Sequence, residues 1–167
     1  MTRAQIIIIG GDGVSYGPGP PAGLTWRSIF FNEVVDQIDQ QRIHFTGRLT
    51  YADYLAALQV SSAHVYLTYP FVLSWSLLEA LSVGCVVIAS DTAPVREIVN
   101  SKNGVLVPFF DIDRIAKRVV EALTYPDRFA SIRNHARQTV VDRYDSVRVC
   151  LPRMMAFIES HLGKSNI

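Results

Sequence analysis

The chain has 167 residues, of which 49% are hydrophobic and 19% charged, a composition that supports one globular core and argues against disorder. Its net charge of +1 gives no electrostatic reason to expect a nucleic-acid partner. Cys85 and Cys150 lack metal-ligand spacing and lie in apolar surroundings, which favours two reduced thiols over a disulfide. Reduced thiols in turn favour a cytoplasmic location.

Short apolar strands alternate with helical patterns along the first half of the chain. The β-branched run at 6–9 is bounded by glycines, as in a strand buried on both faces, and is too short to span a bilayer. Prolines exclude regular structure from the Gly/Pro-rich loop over 10–23. The elements predicted after this loop are a helix over 24–40, a strand over 43–45, a helix over 51–59 and a strand over 63–68.

The same alternation continues in the second half. A helix containing Glu79 ends near Gly84, which suits a left-handed C-terminal cap. Asp111 is the predicted N-cap of an amphipathic helix. The other predicted elements are a strand over 85–89, a short helix from Pro94, a strand over 105–107, a helix over 126–142, and a final helix over about 146–162 that kinks or restarts at Pro152.

This order predicts the α/β fold class, with five parallel strands in a Rossmann-like sheet that helices cover on both faces. One domain over 1–167 is the simplest organisation. Ligands in such folds bind outside the carboxyl ends of the strands. The loops at these ends read GGDGVSYG, TGRLT, TYPFVLSWS and SDTAP.

The first of these loops partly matches a dinucleotide-binding fingerprint. Gly11 and Gly13 follow a strand, and glycines there let the backbone approach a pyrophosphate. However, Gly17 comes one residue too late for the fingerprint, and the prolines prevent a helix from opening. A phosphate-cradling role and a plain turn are both left open.

Glu79 has two interpretations. Ser76 and Glu79 have the spacing of a capping box, in which each side chain bonds the other's backbone N–H group at a helix start. Alternatively, the carboxylate accepts two hydrogen bonds from a vicinal diol such as ribose, while the helix start attracts phosphate.

Several segments resemble the C-terminal, donor-binding half of the retaining GT-B glycosyltransferases of family 4. They are Gly47-Arg48, YADYLAALQVSSAHVYLTYP, SLLEALSVGCVVIASDTAPVREIV and NGVLVPFFDID, and the likeness runs from about Arg3 to Leu162. The resemblance implies a nucleotide-sugar donor, a hexosyltransferase activity, and no metal or other cofactor. The four histidines also lack metal-binding spacing.

The resemblance also assigns roles to residues. The second glutamate of the family's E-x7-E motif, which holds the ribose, corresponds to Glu79, and Phe71 takes the place of the first, sugar-contacting glutamate. The catalytic residue is therefore unassigned. The family's turn that faces diphosphate and sugar corresponds to Val72-Leu73-Ser74, its base-contacting loop to Gly47-Arg48-Leu49, and its short helix after the fourth strand to 94–97. The predicted substrate-binding residues are Glu79, Val72, Leu73, Ser74, Arg48, Leu49, Gly47, Gly11 and Gly13.

The family opens this half with a further strand and helix, preceded by an N-terminal acceptor domain. We expect this chain to be part of a longer enzyme, to lack both the strand–helix unit and the acceptor domain, and to be inactive alone. Any association with the inner face of the membrane would then lie in the N-terminal part. A sheet without its opening strand would favour self-association through an exposed edge.

Other interpretations remain open. One is a non-catalytic binding or interaction module that kept the half-fold but lost the acid at Phe71. Another is a GT-B-shaped sugar-nucleotide epimerase. Trp75, beside Tyr69 and Phe71, could stack on a base or sugar, or line the interface with the missing domain.

Overall fold

The computed structural model describes residues 4–14, 17–69 and 72–162, and the chain divides into two compact units, Met1–Ala56 and Ala57–Ile167. In the first unit, two parallel strands pair with Ile6 opposite Ile43. Its elements are β1 (Ile6–Ile9), α1 (Trp26–Val34), 3₁₀ turns at Val35–Gln37 and Gln40–Arg42, β2 (Ile43–Gly47) and the start of α2 (Tyr51–Val60), which runs into the second unit. The prediction of one domain over 1–167 stays a prediction.

The helix α1 is shorter than its apolar pattern predicts. It begins at a capping box in which Thr25 Oγ1 accepts from Ser28 N (3.0 Å) and Ser28 Oγ accepts from Thr25 N (3.1 Å). Beyond its end, the Asp39 side chain accepts from Gln41 N (3.2 Å) and starts a separate turn. The apolar period continues to Ile38, although the α-helix ends at Val34 and a 3₁₀ turn follows it at Val35–Gln37.

The second unit holds three parallel strands, with β4 (Val87–Ser90) between β3 (His64–Tyr66) and β5 (Val105–Val107). Its core joins the central strands to the helices that follow them, through Val86, Ile88, Val107, Ala122 and Phe129. The elements are β3 (His64–Tyr66), α3 (Trp75–Ser82), β4 (Val87–Ser90), α4 (Ala93–Arg96), β5 (Val105–Val107), α5 (Ile112–Thr124), a 3₁₀ turn (Pro126–Phe129), α6 (Ala130–Tyr144), a π turn (Ser146–Cys150) and α7 (Leu151–Leu162).

The predicted α/β class, with parallel strands and flanking helices, is confirmed. One detail differs, because in the described ranges the strands form a two-stranded and a three-stranded sheet instead of one sheet. Burial of the first strand on both faces is also wrong: Ile6, Ile7 and Ile8 are 45–51% exposed, whereas every residue of β4 is buried. An apolar run shows that a strand can be buried, but it does not show what covers it.

The ends of the helices follow the sequence closely. Gly84, just after α3, has φ +76°, the left-handed conformation predicted for a C-terminal cap. Asp111 Oδ1 accepts from Arg114 N (3.0 Å) and caps α5 as predicted. Near the C-terminus, regular α geometry is interrupted just before Pro152, the second residue of α7. None of the helices within the described ranges combines the length and apolar character needed to cross a membrane.

Candidate functional site

In the first unit, the loops after β1 and β2 meet at the carboxyl end of their sheet. Gly10 N donates to Gly47 O (2.9 Å), and Gly47 has φ +66°, which favours glycine. The Arg48 side chain lies against Gly11, where an added Cβ would be 3.3 Å from Nε. Gly13 has open space around its Cα. The structure thus brings Gly11, Gly47 and Arg48 together.

A cavity of about 460 Å³ lies between α1 and the β1–β2 sheet. Its lining is mainly apolar, and its cation, Arg27, is already engaged. Arg27 Nη1 lies 3.7 Å from Asp12 Oδ2, and the guanidinium lies 3.8 Å from the centre of the Phe45 ring. No helix begins in the parts of the glycine loop that the structure describes, 10–14 and 17–23, and α1 starts at Trp26. The dinucleotide fingerprint is therefore not formed.

In the second unit, the loop after β3 leads into α3, which carries Glu79. The helix begins with Ser74 as N-cap, and Ser74 Oγ accepts from Ser76 N (3.3 Å). The first of the two interpretations of Glu79, a capping box with Ser76, is wrong, because Ser76 already lies inside the helix. Ser74 becomes the cap through a tertiary contact: its N–H donates to the hydroxyl of buried Tyr66 (3.0 Å).

Glu79 is half-buried beside the fully buried Leu77 and Ala80. Within 4–14, 17–69 and 72–162, its carboxylate takes part in no hydrogen bond or ion pair. Its backbone oxygen accepts from Ser82 Oγ (2.7 Å) and Val83 N (3.2 Å). The carboxylate therefore does not cap its own helix, and a ligand could use it as a hydrogen-bond acceptor.

The far end of α3 is fixed by arginines from α6. Arg133 Nε donates to Gly84 O (2.9 Å), and Arg137 Nη1 donates to Ser82 O (2.6 Å). Cations at a helix C-terminus satisfy free carbonyls and interact favourably with the helix dipole. These contacts hold the helix that presents Glu79.

Ser90, at the end of β4, fixes the loop after β3. Its buried hydroxyl donates to Thr68 O (2.8 Å) and accepts from Thr68 N (3.0 Å). The next residue, Asp91, forms an ion pair with Arg96 of α4, and the hydrogen bond from Arg96 lowers the pKa of the Asp91 carboxyl. A fixed carboxylate–guanidinium pair thus lies at the carboxyl end of the central strand.

Burial shifts the pKa values of two groups, the buried Cys85 and the half-buried His64. Burial raises the pKa of the Cys85 thiol to about 11, and its Sγ donates to Leu58 O (3.0 Å). Burial lowers the pKa of His64. Both cysteines are free thiols, as predicted. Among the described residues, no group of three His, Cys, Asp or Glu side chains could hold a metal ion.

The other predicted site residues lie in both units. Val72, Leu73 and Ser74 precede α3 in the same segment as Glu79, and Val72 is exposed. Leu49 is half-buried just before α2, in the first unit with Gly47 and Arg48. Phe71 lies outside the described residues.

The sequence reasoning missed Tyr66, Ser90, Arg133 and Arg137, all of which fix the loop and helix around Glu79. The partners of Ser90 and of both arginines are 22 to 55 residues away in the chain. Local patterns carry no signal for such contacts.

Solved structures with this fold include sucrose-phosphate synthase from Thermosynechococcus elongatus, with a TM-score of 0.72 and 21% identity over 96% of this chain and 39% of that chain. Anabaena HepE in complex with UDP has a TM-score of 0.72 and 19% identity over 95% of this chain and 41% of that chain. The same protein in complex with UDP-glucose has a TM-score of 0.73 and 18% identity over 94% of this chain and 41% of that chain. The chain therefore spans about two fifths of the length of these proteins.

At these identities the structural likeness establishes the fold, and it confirms the predicted resemblance to part of a GT-B glycosyltransferase. Among curated protein sequences, none matches the chain. A family model described as glycosyl transferases group 1 matches residues 3–125, well over half of the 167 residues. The chain therefore belongs to the group 1 glycosyltransferase family.

Proposed function

We propose that this chain is the nucleotide-sugar donor-binding part of a retaining glycosyltransferase that transfers a hexosyl group. An acceptor-binding half of a longer protein would complete the enzyme. Family membership supports transferase chemistry, and the HepE complexes with UDP and UDP-glucose support this class of donor. The observation that carries the proposal is the half-buried Glu79 carboxylate, which no described residue engages.

In this proposal Glu79 accepts hydrogen bonds from both hydroxyls of the donor ribose. Bonds to an ionised acceptor are about twice as strong as neutral ones, so one carboxylate can fix the nucleoside. The diphosphate lies toward Val72-Leu73-Ser74, where the start of α3 carries partial positive charge. The anchors at Tyr66 and Ser90 keep this segment in place before the donor arrives.

In the proposed reaction, the bond between the sugar's anomeric carbon and the diphosphate oxygen breaks, and the diphosphate leaves with the electron pair. The acceptor hydroxyl oxygen forms the new bond on the same face of the sugar, and its proton passes to the oxygen of the departing diphosphate. The N–H groups of Ser74 and Ser76 already donate within the protein, so the partial positive charge at the start of α3 would stabilise the charge that develops on the leaving diphosphate. This role needs no side-chain acid at position 71.

Calorimetry of the 167-residue chain with UDP, GDP and ADP tests the proposal. Glu79→Ala should weaken binding of the preferred nucleotide about 10- to 100-fold, because it removes charge-assisted hydrogen bonds. Glu159→Ala, which alters an exposed glutamate of α7, is the matched control and should leave affinity unchanged.

A 2′-deoxynucleotide makes the test specific for ribose. The wild-type chain should bind the 2′-deoxynucleoside diphosphate more weakly than the ribonucleotide, and Glu79→Ala should abolish most of that difference. Such non-additivity is the signature of a direct contact. If Glu79→Ala binds both nucleotides with wild-type affinity, the proposed role of Glu79 is wrong.

Phe71 favours one second candidate function, a binding module without turnover. The family's sugar-contacting carboxylate is replaced there by a side chain that cannot accept a hydrogen bond. Donor consumption by the longer parent, measured with a panel of acceptors, separates the candidates. Turnover supports the transferase, whereas binding without consumption supports the module.

The remaining assignments stay predictions. They are base recognition by Gly47, Arg48 and Leu49, phosphate binding by Gly11 and Gly13, the absence of a metal requirement, and self-association of the chain. The cytoplasmic location, with or without attachment at the inner membrane face, is also a prediction.

A further inference from the structure

Three aromatic side chains of the second unit, Tyr69, Phe109 and Phe110, form a cluster to which the proposed function assigns no role. Their ring centroids are 4.8 to 6.4 Å apart, and all the pairs meet edge to face. Tyr69 is 65% exposed and Phe110 79% exposed. Aromatic rings that pack together while facing solvent usually mark an interaction site.

The cluster lies at the edge of the sheet where ligands bind in this fold class. Tyr69 follows β3, and Phe109 and Phe110 follow β5, on either side of β4. Ser90 bonds the backbone of Thr68 on one side, and Asp91 N donates to Val107 O (2.7 Å) on the other. The rings therefore meet across the carboxyl end of β4 on anchored loops.

A polar pair lies at the same strand end. The Asp91 and Arg96 side chains are paired and are 33% and 59% exposed. A pyranose ring matches this combination, since one face presents C–H groups that stack on aromatic rings and its rim presents hydroxyls that bond charged groups. A lipid or an apolar protein surface would instead have to remove the ion pair from water, at a cost.

We propose that Tyr69, Phe109 and Phe110 form an aromatic platform that binds a pyranose ring. The inference builds on the proposed function, which supplies two sources of such a ring. One is the sugar of the nucleotide-sugar donor, and the other is a saccharide acceptor. Both present the same chemistry to the platform.

Saturation-transfer NMR of the 167-residue chain with methyl α-hexosides probes the platform without any nucleotide. The wild-type chain should transfer saturation to the ring C–H protons of one hexoside face. Phe110→Ala should weaken this binding about two- to tenfold, whereas Phe110→Trp should retain it, because an aromatic contact contributes roughly that much. Phe157→Ala, which alters a 64% exposed aromatic of α7, is the control and should have no effect.

Calorimetry then identifies the source of the sugar. If the donor sugar stacks on the platform, Phe110→Ala weakens UDP-hexose binding but leaves UDP binding unchanged. If an acceptor saccharide stacks there, only the hexoside signal falls. The platform is overturned if Phe110→Ala changes neither measurement. This failure differs from that of the proposed function, which appears as unchanged nucleotide affinity in Glu79→Ala.

Discussion

Replacing Ser90 by alanine tests how the loop between β3 and α3 is held. The substitution removes both hydrogen bonds to Thr68 and leaves the Thr68 N–H and C=O groups without their partner. Each bond contributes about 1 kcal/mol net, and an orphaned buried group costs about 1–3 kcal/mol. Thr68 is half-buried, so water compensates in part, and the expected loss is about 2 kcal/mol.

Amide hydrogen exchange suits this test, because the chain has two compact units and global unfolding need not be a single transition. A loss of about 2 kcal/mol corresponds to roughly 30-fold faster exchange at the Thr68 amide. The His64 amide, which donates to Val86 O (2.9 Å), should keep its protection in the same variant.

Ser160→Ala is the matched control. The Ser160 hydroxyl donates to the Phe157 carbonyl within the exposed helix α7, so its loss should change stability by less than about 0.5 kcal/mol. If the Thr68 amide of Ser90→Ala exchanges at the wild-type rate, Ser90 does not fix the loop, and the argument for a prearranged segment before α3 fails.

Two further substitutions test the packing of the chain. Gly104→Ala should lower the free energy of unfolding by about 1–3 kcal/mol and lower the melting temperature, because the new Cβ would lie 2.6 Å from Val99 Cγ1 and 3.3 Å from Val87 O. Gly13→Ala is the control and should leave the melting temperature unchanged, because its new Cβ would meet nothing within 4 Å. The pKa of Cys85 is raised from 9.0 to about 11, so the contribution of its neutral thiol to the free energy of unfolding is complete below pH 9 and declines as the pH rises toward 11. Urea titrations of the wild-type chain should show this decline. If the free energy of unfolding of Cys85→Ala declines equally over the same pH range, the reasoning is wrong.

Local patterns predicted much of the fold. The N-cap at Asp111 and the left-handed Gly84 follow from short-range chemistry, and both are present. The strand at 6–9 was also located correctly, but its burial was not. Periodicity describes one element at a time, whereas burial depends on what packs against that element.

The candidate site shows the same limit. The sequence placed Glu79 near the start of a helix that follows a strand; it lies in such a helix, but as the fifth residue of α3 and so past the first turn. It also suggested Ser76 as the cap, because Ser76 and Glu79 have the spacing of a capping box. The choice of Ser74 depends on the Tyr66 hydroxyl, which only the folded chain brings within 3.0 Å of its N–H group.

The arginines of α6 that bond the end of α3 have a practical consequence for engineering. A chimera that exchanges only the segment around Glu79 for that of a homologue would place a foreign helix against Arg133 and Arg137. Because those guanidinium groups bond main-chain carbonyls of residues 82 and 84, a transplanted helix that ends at a different residue would lose both contacts. A graft whose helix ends elsewhere will therefore have to exchange residues 72–84 and 130–144 together.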